Sequence, residues 1–224
     1  MPEKTNEKVD NAGTDIELWR SDAYRLLAAC FYEPEREMFL DEKLPANLLA
    51  ALGKLGGSAR DACTKMEESL HKNTQEELLV EYSALFLGPF KVLADPHGSI
   101  YLEPEERKLM GDTTVRVGDL YKFAGLALQE IEAPDHIALE LEFMAFLSLN
   151  LGNGVKVIED NKEEGVPPLD CAAVRSEFLG DLLSPWIPPF CAEIRKNAAL
   201  DFYPVVADCL ETFIETEKAT LLPR

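Results

Sequence analysis

The sequence predicts an all-α protein, a single-chain bundle of roughly ten helices. Three observations carry this. Apolar residues recur three and four apart through most of the chain, which is the pattern of helices that bury one face. Residues that start and stop helices bracket those runs. Nowhere does a stretch alternate apolar and polar residues between turns, as a half-buried strand does. With 224 residues of which 46% are hydrophobic, the chain can bury a sizeable core.

Residues 1–13 are polar and read as a flexible N-terminal tail. Thr14-Asp15-Ile16-Glu17 has the form of a capping box, and behind it Ile16, Trp19, Ala23, Leu27 and Phe31 keep helical spacing until Glu33-Pro34. Short helices are expected at about 35–41 and 45–54, and a longer one from Ser58 to about His71. Asn73-Thr74 can cap the next, whose apolar face is Leu78, Leu79, Tyr82, Leu85 and Phe86. Gly88-Pro89 should stop it, a glycine past the end and then a proline. From Phe90 to about Glu103 no period is visible, and an irregular connection of that length is more often functional than merely connective. A helix is expected from about Thr114 to Ala124, and another opened by Pro134 and running to about Leu151. Further helices are expected at about 170–183, 188–197 and 201–218, with Trp186, Phe190, Phe202, Tyr203 and Phe213 as core anchors.

Gly152-Asn153-Gly154 and the acidic run through Pro167-Pro168 suggest a division. Residues 14–151 would form an N-terminal helical part, 152–168 a hinge or exposed loop, and 169–224 a C-terminal helical part. A hinge of this kind permits exchange of the C-terminal part between two chains, so both a monomer and a swapped homodimer are expected forms.

With 41 acidic and 22 basic residues the net charge is −19. Such a field repels phosphate, which argues against nucleic acid or an anionic membrane as partner, and it attracts basic peptides. No apolar run is long enough to span a bilayer, and the charged N-terminus has no secretory apolar segment, so stable membrane insertion is not expected. Cys30, Cys63, Cys171, Cys191 and Cys209 are widely spaced without a CxxC, which reads as reduced, buried thiols in a cytoplasmic protein rather than zinc ligands or a redox pair.

The most informative local feature is Glu132-Ala133-Pro134-Asp135-His136, directly before Ile137-Ala138-Leu139-Glu140. Asp135 and His136 are expected at the exposed mouth of a helix. A purely structural reading has Asp135 cap the helix while His136 bonds a nearby carbonyl. A metal reading uses His136 with Glu140 one turn on, but the second Glu-x-x-His that bundle di-metal sites need is missing. A hydrolytic or acid/base reading uses His136 with Asp135 and with Ser99 as nucleophile, without a nucleophile elbow to support it. No nucleotide fingerprint occurs, and no cofactor is expected. The remaining candidates are Phe86, Leu87, Gly88 and Pro89, then His97, Gly98, Ser99 and Tyr101, whose apolar and backbone-exposing residues could line a groove for a peptide.

At these residues the chain resembles the TorD/DmsD-type redox-enzyme maturation chaperones, related to the NarJ group. The likeness is carried by Tyr82-Ser83-Ala84-Leu85-Phe86-Leu87-Gly88-Pro89, by Asp95-Pro96-His97-Gly98-Ser99-Ile100-Tyr101, and by Glu132-Ala133-Pro134-Asp135-His136 with Glu140-Leu141-Glu142-Phe143-Met144. Phe178 to Trp186 is similar to the family's C-terminal segment, and the resemblance spans about residues 15–217. It implies a non-enzymatic cytoplasmic chaperone that binds the twin-arginine signal peptide of a molybdopterin-containing oxidoreductase. The apo-form of that enzyme is held until cofactor is inserted and is then released for export. Asp135 and His136 match the family's peptide-binding pair, and Gly98, Ser99 and Tyr101 its second contact region. His97 departs from the dimethyl sulfoxide reductase-type chaperones, which carry a tryptophan there. On this reading Glu132, Asp135 and Glu103 border the place for the arginines, and Phe86, Leu87 and Tyr101 take the apolar part.

Overall fold

The computed structural model describes residues 11–57, 60–88, 91–103, 105, 110–127, 133–158 and 168–222. Among them are eleven α-helices: α1 (Asn11–Ala29), α2 (Arg36–Asp41), α3 (Leu44–Lys54), α4 (Arg60–Lys72), α5 (Gln75–Tyr82), α6 (Ser99–Leu102), α7 (Asp112–Phe123), α8 (Ile137–Gly152), α9 (Cys171–Glu177), α10 (Ile187–Asn197) and α11 (Phe202–Leu221). The fold is all-α, as the periodicity predicts.

The centre is α8. Its sequence is apolar almost all round, which suits a helix covered on every side. Helix α1 lies along it, α3 packs on α1, and α11 bridges α10 to α4. Phe31, Phe86, Phe190 and Tyr203 meet at ring separations of 5.0 to 6.1 Å, joining the end of α1 and the residues after α5 to α10 and α11. Each buried phenylalanine contributes roughly 1.5–3 kcal/mol. One buried core therefore contains residues from both sides of the 152–168 segment. The expected anchors Trp186, Phe190, Phe202, Tyr203 and Phe213 all lie in it.

Several expectations are corrected. Helix α1 already runs at Asn11, so Thr14 lies inside the helix and the expected capping box does not start it; residues 1–10 lie outside the described residues. Glu17 instead binds Arg20 at 2.8 Å and reaches Arg175 of α9 with both carboxylate oxygens. The Thr74 box is real: Glu77 N–H donates to Thr74 Oγ1 at 3.2 Å and Thr74 N–H donates to Glu77 Oε2 at 2.8 Å. The segments Ser83–Leu87 and Phe178–Leu183 continue α5 and α9 as π-helix, each closed by a bond spanning five residues, from Gly88 N–H to Ser83 and from Ser184 N–H to Leu179. The four residues of α6 interrupt the connection expected to lack regular structure.

Strands were not expected, yet β1 (Val157–Ile158) and β2 (Leu169–Asp170) pair antiparallel, Val157 opposite Asp170. Two residues each are too few to show an alternating pattern. The ladder brings the two ends of the 159–168 segment together, and Asp170 then caps α9 by accepting from the N–H groups of Ala172 and Ala173.

Gly88 ends the π stretch with φ +47, a left-handed conformation that favours glycine. A Cβ there would strike the backbone carbonyl of Lys91. Its expected partner in the stop signal, Pro89, lies outside the described residues.

Candidate functional site

Two connections meet at the start of α8. The first is the turn 133–136. Pro134 was expected inside the helix, but it lies in this turn, where Tyr121 of α7 donates to its carbonyl at 3.0 Å. Gly118 faces the proline ring, and a Cβ there would come within 3.3 Å of Pro134 Cγ. The helix begins one residue after His136, whose φ −69 and ψ 135 are those of an N-cap. The expected division of labour is thereby reversed. His136 caps, its Nδ1 accepting from Ala138 N–H at 3.3 Å, and Asp135 reaches away from the helix.

The second connection is a strap, residues 95–102. Gly98 N–H donates to the Asp135 carbonyl at 2.9 Å and Ile137 N–H donates to the Pro96 carbonyl at 2.8 Å, an antiparallel bridge between His97 and His136. Asp135 Oδ2 accepts from Ser99 N–H at 2.9 Å. The two imidazoles meet edge to face at 5.3 Å, and His97 Nδ1 lies 2.8 Å from Asp95 Oδ1.

The pair is buried rather than exposed, which corrects the expectation of an open helix mouth: Asp135 is 0% and His136 5% accessible. Burial and the neighbouring His97 push the His136 imidazole down to about 4. That agrees with its cap, because an Nδ1 that accepts from a backbone N–H carries no proton. Ser99 is also wholly buried, and its Oγ has no hydrogen-bond partner among the described residues. Ser99 Oγ therefore makes no bond to His136, and no Ser–His pair is assembled among the described residues.

Beneath the strap lies Glu140, wholly buried, with Oε2 accepting from Trp186 Nε1 at 3.1 Å. Burial, with Asp135 beside it, raises its carboxyl well above the ordinary range. Trp186 stacks on Tyr101 of α6 at 5.7 Å with planes 16° apart. Gly98 has to be small here: a Cβ would sit 3.0 Å from Trp186 Nε1 and 3.3 Å from Glu140 Oε1.

Outside the strap, between it and α10, runs an open groove of about 590 Å³. Val92, Leu93, Ile100, Tyr101 and Pro189 supply apolar surface. Asp95, Glu193, Lys91 and Lys196 supply charge, with Glu193 held by Lys196 at 3.2 Å. Of the sequence candidates, His97, Gly98, Ser99, Tyr101, Asp135 and His136 are brought together, although only Tyr101 lines the groove. Phe86 is not a groove residue: it is buried among Phe31, Tyr82, Phe190 and Tyr203 because its side of the helix faces the core. Leu87 is exposed, and Gly88 serves the turn after it. Glu103 bonds Thr113 N–H at 2.6 Å on the far side of α6. Glu132 and Pro89 lie outside the described residues.

The sequence reading missed the α10 wall and the role of Trp186. No local pattern marks Pro189, Glu193 and Lys196, since they join the strap only through the fold. Glu140 did carry a signal, as one of only two charged residues in the apolar run from Ile137 to Leu149, but it was weighed as a metal ligand. Among the described residues no group of three or more histidines, cysteines, aspartates or glutamates is placed to hold a metal ion.

Fold and site define an all-α protein with a surface groove and a buried polar clasp behind it. Residues 46–192 match the nitrate reductase delta subunit family, and the chain belongs to that family. The chaperone protein TorD of Vibrio parahaemolyticus is 29% identical over 192 residues, covering 79% of this chain and 80% of that protein. The probable Tat proofreading chaperone DmsD of Haemophilus influenzae is 28% identical over 145 residues, covering 64% of this chain and 61% of that protein. A putative redox enzyme maturation protein from Archaeoglobus fulgidus has the same fold, with a TM-score of 0.54 at 24% identity over 87% of this chain and 93% of that one. Members so named are chaperones, and this chain is a maturation chaperone of their kind, not an enzyme.

Proposed function

We propose that this chaperone works in the cytoplasm and binds the twin-arginine signal peptide of an exported molybdopterin-containing oxidoreductase, keeping the apo-enzyme from export until its cofactor is in place. The observation that carries the reading is the groove between the strap and α10, which offers apolar surface edged by Asp95 and Glu193, with Lys91 and Lys196 beside them, on a protein of net charge −19. A twin-arginine peptide presents two guanidinium groups and then an apolar segment. Asp95 and Glu193 would receive the first in exchange for His97 and Lys196, and Val92, Leu93, Ile100, Tyr101 and Pro189 would take the second. The wide acidic field draws the basic peptide in. Asp135 and His136 serve this site from behind, by holding the strap in register. The name of the Haemophilus relative, a Tat proofreading chaperone, agrees with this assignment.

The test is fluorescence anisotropy with a labelled peptide carrying two adjacent arginines and an apolar segment, set against a twin-lysine control. Tighter binding of the arginine peptide is expected, since guanidinium meets carboxylate with two hydrogen bonds. Glu193→Ala should weaken binding by up to about fivefold, the span of an exposed ion pair. Asp135→Ala with His136→Ala should weaken it further while also lowering thermal stability. Equal binding of a scrambled neutral peptide by the wild type would overturn the reading.

A further inference from the structure

We propose that Glu140 is a positioning residue for the groove: its carboxyl fixes the Trp186 indole, and the indole sets both groove walls. The inference rests on the groove being the peptide site. Trp186 touches both sides of that groove. On one side it stacks against Tyr101, which lines the strap wall. On the other it is the residue directly before α10, packs on Phe190 at 5.3 Å, and so sets where Pro189 and Glu193 stand. The indole is wholly buried, and the 3.1 Å bond from Nε1 to Glu140 fixes which way its N–H edge points.

A carboxyl is an unusual choice so deep in a core. A buried indole N–H needs an acceptor, and an ionised acceptor without a counter-charge is costly there. The titratable groups around Glu140 are Asp135 from the turn before α8 and Tyr121 from α7, and neither supplies positive charge. Oε1 has no hydrogen-bond partner among the described residues, so no donor is there to stabilise an ionised carboxylate. The neutral acid is therefore the form that holds the indole, and a glutamine can replace it. Gly98 completes the clasp, because its missing side chain lets the strap backbone close directly over the indole nitrogen and Glu140 Oε1.

Trp19 and Trp186 are the only tryptophans, so Trp19→Phe leaves Trp186 as the sole indole reporter. In that background, Glu140→Gln should keep the buried emission of Trp186, the slow hydrogen exchange of the Gly98 and Ser99 amides, and peptide affinity within about twofold. Glu140→Leu removes the acceptor at similar volume. It should shift the emission, speed exchange across 98–102 and weaken the peptide about tenfold, the effect of one lost hydrogen bond to a buried donor. Trp186→Phe removes the donor instead, and in that variant Glu140→Leu should have no further effect on exchange or binding. If Glu140→Leu does not fold, Trp186→Phe alone reads the same tether from the other partner.

Strap exchange left unchanged in Glu140→Leu, or in Trp186→Phe should the first not fold, overturns the proposal. So does Glu140→Gln behaving as Glu140→Leu. Failure of the parent protein to bind any twin-arginine peptide would overturn the functional reading instead, and the emission and exchange data would still judge the tether.

Discussion

At the scale of single residues, the sequence singled out Asp135 and His136 but assigned their tasks the wrong way round. Whether Pro134 is the first helical residue or part of the turn before it moves the cap by three positions. That choice is made by Tyr121 and Gly118 on α7, which the local sequence cannot show. The burial of His136 and Glu140 was equally illegible, since what covers them is a strap distant in sequence, His97 against His136 and Gly98 against Glu140. Their burial has a consequence for pH. Folding lowers His136 from the ordinary 6.5 to about 4, so the unfolded chain binds more protons between those values and stability is lost as pH falls through them. The loss is on the order of 3 kcal/mol, at about 1.4 kcal/mol per pH unit. Glu140 moves the other way. Its folded form keeps a proton that the unfolded chain releases above the ordinary 4.5, so its contribution is complete below that value and is lost as pH rises. Chemical denaturation of the wild type across pH 4 to 9 should therefore show a maximum. In Glu140→Gln the alkaline limb should flatten, and in His136→Asn, which retains a capping side chain, the acid limb should flatten. A variant profile superimposing on the wild type would mean that the substituted group does not titrate as its burial requires.

At the scale of elements, helices were legible wherever an apolar period met a start or stop signal, and most ends fall within a few residues of expectation. Thr14-Asp15-Ile16-Glu17 and Thr74-Gln75-Glu76-Glu77 show where that signal fails, because both spell a capping box and only the second is one. The difference lies upstream: the chain is already helical at Asn11, whereas the end of α4 and Asn73 leave Thr74 free to adopt an extended ψ of 165. Glu17 is then released for an ion pair with Arg175, 158 residues away, which no window could foresee. The π stretches were likewise invisible, since no residue type marks a five-residue bond. Thr74→Ala should cost about 1 kcal/mol, with a fall of roughly 2–4 °C in the thermal midpoint for a domain of this size. Thr74→Ser should recover most of it. A midpoint unchanged in Thr74→Ala would show that α5 is held by its packing alone.

At the scale of the whole molecule, the question is whether residues 14–151 and 169–224 act as separable parts. Two observations bear on it. The buried pair Arg20–Glu217 at 2.8 Å joins α1 to α11, and Arg175 of α9 binds Glu17 of α1, so the halves share an ion network as well as a core. Removing one partner from such a buried pair leaves a lone charge, which typically costs about 3–5 kcal/mol. The halves are therefore not expected to be stable apart, but the same contacts form equally well between two chains that exchange their C-terminal parts. What favours closure within one chain is the β1–β2 ladder, which returns the chain to its starting point at Val157 and Asp170. We propose that this ladder sets the balance between monomer and exchanged dimer. Ile158→Pro removes a ladder donor, because the bond from Cys171 N–H to the Lys156 carbonyl makes Ile158 and Leu169 the next bonded pair. It weakens that closure at a half-buried position. Light scattering over a range of concentrations should give the 25.0 kDa monomer for the wild type at low concentration and a dimer fraction that grows faster with concentration in the variant. Dimer isolated from the variant should bind the peptide at one site per chain, because each strap and α10 pair is rebuilt across the exchange. A strictly monomeric mass for both proteins at every concentration would retire the exchange.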